Sequence, residues 1–360
     1  MKISFNIGMG LAIGAVAGVG MAFTFQRGHV TSIQRGFRGV AQEVNYNDRT
    51  VAKLRAANVV PEPEAKQDPA GTPSSAVYQN VKVLGKVDSN EFLRVMAAVT
   101  AWVAPGEDQG CTYCHNVNNL ALDSSYTKIV ARRMMQMTEH INKDWAAHVG
   151  STGVTCYTCH RGMPVPKYIW FNAPPPAPME EGGVAEVNQG KNLVSTVAAY
   201  ASLPYDPLSP FLEKDNEIRV IPHQALPGST NTSIKQTEWT YGLMMHFANS
   251  LGVNCTYCHN SRAFWDWEQS SPQKVTAWYG IRMVRDLNNN YLDTLKPVWP
   301  EKRLGKLADA PKLNCQTCHQ GIYKPLYGNS MVKDYPELGH DGQVDLTADI
   351  GSVNDYTPKN

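Results

Sequence analysis

All eight cysteines of this 360-residue chain fall in four copies of Cys-x-x-Cys-His: Cys111, Cys114 and His115; Cys156, Cys159 and His160; Cys255, Cys258 and His259; Cys315, Cys318 and His319. At that spacing two thiols can add across the vinyl groups of a haem, while the next histidine reaches the iron as its proximal axial ligand. A bare CxxC also suits a zinc ribbon or a redox dithiol. Zinc would pair two CxxC units without needing a histidine after each, whereas here histidine follows in every copy. The motifs therefore point to four haem c groups, each held by two thioethers and one proximal histidine.

A haem iron bound by one histidine has a second axial position, and its occupant decides between electron transfer and ligand chemistry. Outside the motifs the histidines are His29, His140, His148, His223, His246 and His340. Met96, Met134 and Met244 stand 15, 22 and 11 residues upstream of Cys111, Cys156 and Cys255, near enough to fold back onto a haem. Methionines on helices are also common core filler. The crowding of Met134, Met135 and Met137, and the Met244–Met245 pair, suit that role equally.

Helices are expected to carry these side chains. Asp88 with Glu91 makes a capping box before Phe92, and Pro105 closes that segment; Ser233 with Gln236 opens another, closed by Gly252. Ser271–Pro272 is an N-cap and N1 pair for a helix carrying Arg282 and Met283. A long helix is expected from just after Ser125 to near His148. Strand signals are few. CTYCHN occurs at both Cys111 and Cys255, and ARRM at 131–134 parallels GIRM at 280–283, so the body reads as a duplication. The expected fold is mainly α with extensive irregular loops, in two pseudo-symmetric dihaem halves. Its parts are a membrane helix over 1–26, an extended linker over 27–76, halves over 77–162 and 231–338, a Pro-rich connection over 163–230, and a tail over 339–360.

Phe5 to Phe25 is an apolar run about as long as a bilayer-spanning helix needs, and longer than the core of a usual cleaved signal. A retained transmembrane anchor is expected. Gly10, Gly14 and Gly18 give it a small-residue face on which another membrane helix could pack. Arg27, Arg35 and Arg38 follow the run, which by the positive-inside rule would leave the body in the cytoplasm. Covalent haem attachment takes place outside the bacterial cytoplasm, and that chemistry is given precedence.

The formal net charge of +1 excludes a nucleic-acid partner, which calls for a concentrated basic surface. With 23 prolines and 28 glycines, much of the chain must be irregular, so haem would supply core that the polypeptide lacks. Asp88, Glu91, Glu107 and Asp108 lie ahead of the first motif, and Lys302, Arg303, Lys306 and Lys312 ahead of the fourth. Both clusters read as solvated surface, the acidic one also suited to steering a basic carrier. Arg132, Arg133, Arg282 and Arg285 suit either haem propionates or surface salt bridges.

From VKVLG at 81–85 through CTYCH, ARRM, GVTCYTCHRG, LMM at 243–245, GIRMVRD and CHQG to KDYPEL at 333–338, the chain resembles the tetrahaem cytochrome subunit of the photosynthetic reaction centre of purple bacteria. The resemblance implies Met96, Met134 and Met244 as distal ligands of the first three haems and His148 as that of the fourth. The internal repeat would instead nominate Met283 for the fourth. On one continuous helix, Met134 and His148 would lie roughly 21 Å apart along the axis, serving two haems.

The implied function is an electron relay, not an enzyme. It would run on the periplasmic side of the photosynthetic inner membrane, from a soluble carrier to the photo-oxidised bacteriochlorophyll pair. Implied partners are the reaction-centre L, M and H subunits, a soluble donor (a c-type cytochrome or a high-potential iron–sulfur protein), the membrane, and light-harvesting subunits as neighbours. A membrane-anchored multihaem quinol dehydrogenase is the main alternative, but such proteins draw distal ligands from histidine. A haem peroxidase or nitrite reductase would need an open iron.

Overall fold

The computed structural model describes residues 2–24, 30–35, 42–106, 109–174, 192–218, 220 and 234–355. Glu107, Asp108, Arg27, Arg38, His29, His223, Ser233 and, within the Pro-rich connection, residues 175–191, 219 and 221–230 lie outside the described residues. Two compact units are present: Met1–Gln34 with Glu43–Ala57, and Arg35–Gln42 with Asn58–Asn360.

In the first unit, α1 (Lys2–Thr24) covers the apolar run expected to form the anchor. Its side chains are described over 8–22 and are exposed. Among the described residues no helix is long and apolar enough to cross a membrane. Strands β1 (Val30–Arg35) and β2 (Gln42–Asn47) pair, and α2 (Asp48–Ala57) follows. The stretch expected to be extended thus holds a helix. Its start is set locally: Asn47 Oδ1 accepts from Arg49 N at 3.0 Å, and Asp48 favours the positive end of the helix dipole.

The second unit begins with an irregular run from Asn58 and a single turn, α3 (Ser74–Val77). The main helices are α4 (Ser89–Val103), α5 (Tyr126–Asp144), α6 (Ala146–Val149), α7 (Cys156–His160), α8 (Ser209–Leu212), α9 (Ile234–Leu251), α10 (Pro272–Leu287) and α11 (Cys315–His319). Short strands β3 (Asn192–Val194) and β4 (Ser202–Pro204) pair antiparallel with Leu193 opposite Leu203.

Helix α4 forms because Val95, Ala98 and Trp102 recur at helical spacing and bury one stripe. Asp88 caps it by accepting from Asn90 N, but the expected reciprocal bond is missing because Glu91 pairs with Arg94 instead. The helix expected to run to His148 is broken. It ends at Asp144, and Trp145 (φ −110°, ψ 25°) separates α5 from α6, so Met134 and His148 are not on one continuous helix. The Trp145 indole donates to Asp286 Oδ2 on α10 at 2.8 Å, a bond that fixes the break from outside the helix.

Two hydrophobic clusters hold this unit together, and both mix distant parts of the sequence. One joins Met137, Ile141 and Val154 to Leu208, Phe211, Leu212, Leu243, Ile281, Met283 and Leu287. The other joins Val83, Leu84, Val95 and Trp102 to Leu326, Tyr335, Leu338 and Val344. The stretch expected to be a bare connection therefore contributes core through Leu208, Phe211 and Leu212. Lys312 is also buried rather than part of a solvated patch: its ammonium lies 2.5 Å from Asp309 Oδ2. Arg132 is neither exposed nor left for a propionate. It grips Asp123 with two nitrogens at 2.9 Å, in a pair whose rupture would cost about 3–5 kcal/mol.

Candidate haem sites

The four Cys-x-x-Cys-His segments take two shapes, repeated in order. Cys111–Cys114 and Cys255–Cys258 are 3-10 turns, Gly110–Tyr113 and Cys255–Tyr257, each running on into a small bridged loop, Asn116 to Asn119 and Asn260 to Ala263. Each turn is tied to the next helix by a hydroxyl: Thr127 Oγ1 donates to Tyr113 O, and Ser271 Oγ donates to Tyr257 O at 2.6 Å. The other two segments are α7 and α11. Thr155 and Asn314 cap them in reciprocal boxes with Thr158 and Thr317, and both end on a left-handed residue, Arg161 and Gln320.

Every motif histidine is oriented the same way. The Nδ1–H donates to a backbone carbonyl: His115 to Leu120, His160 to Met163 and His259 to Phe264, each at 2.8 Å, and His319 to Ile322 at 3.0 Å. Because a carbonyl only accepts, the proton is fixed on Nδ1 and the Nε2 lone pair is left for a metal. Burial holds all four imidazoles below their ordinary 6.5, His319 at about 4, so they stay neutral as ligation requires. No cysteine is in a disulfide. Among the described residues no three His, Cys, Asp or Glu side chains converge on one point, so no pair of CxxC units assembles a zinc cage.

His148 lies on α6, its Nδ1–H donating to Thr276 O at 2.9 Å. Its ring meets that of His319 edge-on, with centroids 6.2 Å apart and planes at 68°. An iron about 2 Å from each Nε2, with each ring centre ~1.1 Å further on, would set the centroids ~6.3 Å apart. The spacing therefore fits one iron between them. Met96, Met134 and Met244 are partly buried on α4, α5 and α9. Helix α4 packs on the first motif and on α7, α5 packs on α7, and α9 leads into the third motif and packs on α11. Met283 sits in the core beside Leu287.

Contacts between segments give the motifs a spatial order. Helix α4, which packs on the first motif, also meets the second, where Gly162 N donates to Trp102 O at 2.8 Å. The second meets the fourth, with Cys159 Sγ and Cys318 Sγ 2.6 Å apart and Gln320 Nε2 donating to Cys159 O. The fourth meets α9, the helix that leads into the third, where Gly321 N donates to Ser250 O at 2.8 Å. Gly252 (φ +62°) makes that approach possible: a Cβ there would lie 2.2 Å from Gly321 O.

Polar atoms left over also suit a bound anionic group. Arg133 Nε, Arg282 Nη1 and Trp299 Nε1 are buried without a partner, and the Arg282 guanidinium lies over the Trp278 ring at 3.3 Å. Such atoms cost stability unless something fills them, and haem propionates would. Arg285 instead pairs with Asp215 at 2.5 Å. Cysteine chemistry, histidine tautomers, ring spacing and orphaned cations all fit haem.

Sequence reasoning missed the group centred on His140. Its Nδ1 contacts Asp144 at 2.7 Å and its Nε2 contacts Asp286 at 2.6 Å. Two acceptor-only partners require both ring protons, so this is an imidazolium. The Asp286 bond leads in raising His140 above 6.5. Burial works to raise Asp286, but bonds from His140, Asn290 and Trp145 override it and take the carboxyl to about 2. Asp286 stability is thus present above its unfolded 3.8 and lost towards pH 2. The His140 contribution is complete below pH 6.5 and fades as pH rises through its elevated folded value. The contribution of this pair to stability should be greatest between about pH 4 and 6.5, and His140→Gln should flatten the alkaline limb of the melting-curve series, at a cost on the order of 1 kcal/mol after solvent screening. A melting curve series that keeps its alkaline slope in the variant would contradict this assignment. The ties from Thr127 and Ser271 to the motif turns were missed too, Ser271 reading in the sequence only as an N-cap, although each lies 16 residues after the first cysteine of its motif.

Residues 26–339 match the family described as photosynthetic reaction centre cytochrome C subunit. The chain is 50% identical over 327 residues to the photosynthetic reaction center cytochrome c subunit of Rubrivivax gelatinosus, covering 90% of this chain and 87% of that one. It is 52% identical over 305 residues to the subunit of the same name from Thermochromatium tepidum, covering 85% and 74%, and 42% identical to that of Roseobacter denitrificans, covering 85% of each. Repeated motif geometry, a close histidine pair and this similarity along nearly the whole body agree: the chain belongs to the family of photosynthetic reaction centre cytochrome c subunits.

Proposed function

We propose that this chain is a tetrahaem electron relay of the reaction centre, taking electrons from a soluble periplasmic carrier and delivering them to the photo-oxidised bacteriochlorophyll pair. The electron-transfer role in the reaction centre follows from its family. The observation that carries the number and the ligation is the His148–His319 pair, spaced for one iron, beside three further motifs with the same histidine tautomer.

Bound there, haem supplies one-electron carriers cycling between ferrous and ferric iron. The protein holds each through its thioether pair, Cys111/Cys114, Cys156/Cys159, Cys255/Cys258 and Cys315/Cys318. His115, His160, His259 and His319 would bind the proximal faces. Met96, Met134, Met244 and His148 would close the distal ones, leaving no open iron for substrate. Thioether ligation raises potential, as a donor to a strong oxidant requires. Contacts among the motifs and the helices α4 and α9 that lead into two of them support a path ordered first, second, fourth, third, within two dihaem halves that repeat the turn-then-helix pair. This mixed ligand set favours a relay over a quinol dehydrogenase.

At the third-motif end Phe264, Trp265 and Trp267 are exposed, the two indoles at 57% and 51%. An aromatic surface of that kind suits docking on the reaction-centre L and M subunits. The apolar α1 would anchor the chain in the photosynthetic membrane, with the body in the periplasm. A flash given to the assembled complex should oxidise c-type haem as the bacteriochlorophyll pair recovers, and denatured chain should keep four haem masses. Recovery of the pair with no haem absorbance change would refute the relay.

A further inference from the structure

Residues 341–355 lie just past the part matched by the family, yet they are laid along α5 with specific bonds. Val344 N donates to Glu139 Oε2 at 2.7 Å. Gln136, completely buried, donates through Nε2 to Asp345 O and Ala348 O, both at 2.9 Å. Arg132 Nη1 donates to Ile350 O at 2.9 Å, and Asn354 N to Asp123 O at 2.7 Å. As the segment advances from 344 to 350, its partners on the helix retreat from 139 to 132, so the two run antiparallel over about 10 Å of helix axis. The near end is fixed as well. Asp345 N donates to Val83 O at 2.8 Å, and Val344 is buried among Val83, Leu84, Met135 and Leu338. Gly342 permits the approach, since a Cβ there would lie 2.9 Å from Glu139 Oε2 and 2.5 Å from Glu337 O.

Arg132, Gln136 and Glu139 fall within about 60° of one another around α5, and Met134 lies roughly 170° from their centre. The segment therefore covers the back of the helix at the level where the opposite side presents Met134 to the other hydrophobic cluster. We propose that residues 341–355 are a positioning brace for α5, fixing the axial rotation and translation of the helix so that the Met134 thioether is seated at the second haem. This rests on Met134 being a distal ligand. Gln136 is the key positioning residue, because its one amide holds two carbonyls of the brace, those of Asp345 and Ala348.

The test uses the full chain in its assembled complex. Gln136→Met removes both donors at nearly constant volume, and a chain ending at Gly339 removes the brace outright. If the shortened chain fails to assemble, Gln136→Met and Gly342→Ala still decide the matter. The readouts are the midpoint potentials of the resolved haems and the near-infrared band from thioether bound to ferric iron. Expected is a shift of one methionine-ligated haem with the other three unmoved, and loss of up to about a third of the band, since one of three such haems is affected. No shift in any haem, or an equal shift in all four, would overturn the brace. Met134→His separates the two ideas. If it moves no haem, the ligand reading is wrong. If it moves one haem that Gln136→Met leaves untouched, the positioning proposal fails alone.

Discussion

Gly280→Ala is expected to open one haem iron in four to carbon monoxide. Gly280 Cα lies against the His148 ring, and an added Cβ would come within 2.6 Å of Cε1 and 2.9 Å of Nδ1. Neither partner can yield easily. The imidazole is held by Thr276 O from α10, the same helix that carries Gly280, so the methyl group and the hydrogen bond act on the ring from one side. Overpacking of this kind costs about 1–3 kcal/mol, and the cheapest relief is to swing His148 away from His319. The fourth haem would then become five-coordinate, and about a quarter of the total haem should bind carbon monoxide where the unaltered protein binds little. His148→Ala should give the same fraction, and the double variant no more than either alone, because alanine at 280 has nothing left to strike. Carbon monoxide binding that stays at the unaltered level in His148→Ala would rule out that histidine as an axial ligand.

Exchanging ligand types should move potentials in opposite directions at the two ends of the ligand set. Methionine stabilises ferrous iron relative to histidine, and axial ligation as a whole spans roughly 0.8 V. Met244→His is expected to lower one haem by on the order of 0.1–0.2 V, whereas His148→Met should raise one by a similar amount. At about 59 mV per tenfold in a one-electron equilibrium, a drop of ~0.1 V depopulates the oxidised-to-reduced transfer onto that haem by ~50-fold. If the third motif lies nearest the reaction centre, Met244→His should slow recovery of the bacteriochlorophyll pair by making the last carrier hard to reduce from its neighbour. Redox titration of each variant with resolved absorption bands measures the first effect, and flash kinetics the second. Unchanged potentials in Met244→His would remove that methionine from the ligand set.

What the sequence made legible is what covalent chemistry forces to be local. Attachment needs two thiols and a histidine within five residues, so the four sites could be read directly. Helix starts at Asp88 and Ser271–Pro272 were equally visible, because capping is decided by neighbours in the chain. The end of α5 was not. Nothing near Trp145 breaks a helix, and its partner Asp286 is 141 residues away. Lys312 looked like one of several surface cations because, although Asp309 is only three residues away, Glu213 and Trp170, which also meet its ammonium, are remote in sequence. Brace contacts at Gln136 were invisible for a related reason: they end on backbone carbonyls, which carry no residue signature. Local rules therefore nominate where haem would attach, while the proposed second axial ligands rest on family resemblance, since eleven to 22 residues of intervening chain leave many methionines within reach.

Both hydrophobic clusters close only when segments more than a hundred residues apart meet, Val83 against Val344 and Ile141 against Leu287. A polypeptide delivered across a membrane from its amino end would present Cys111 to the attachment machinery long before Val344 arrives. If haem attaches during that delivery, the first motif would be loaded on slack, unpacked chain, and the final shape would lock late, with the cofactors already in hand. Mutations that hasten early collapse would be expected to trap thiols out of reach, so slowness of closure is itself useful to the maturation of this subunit.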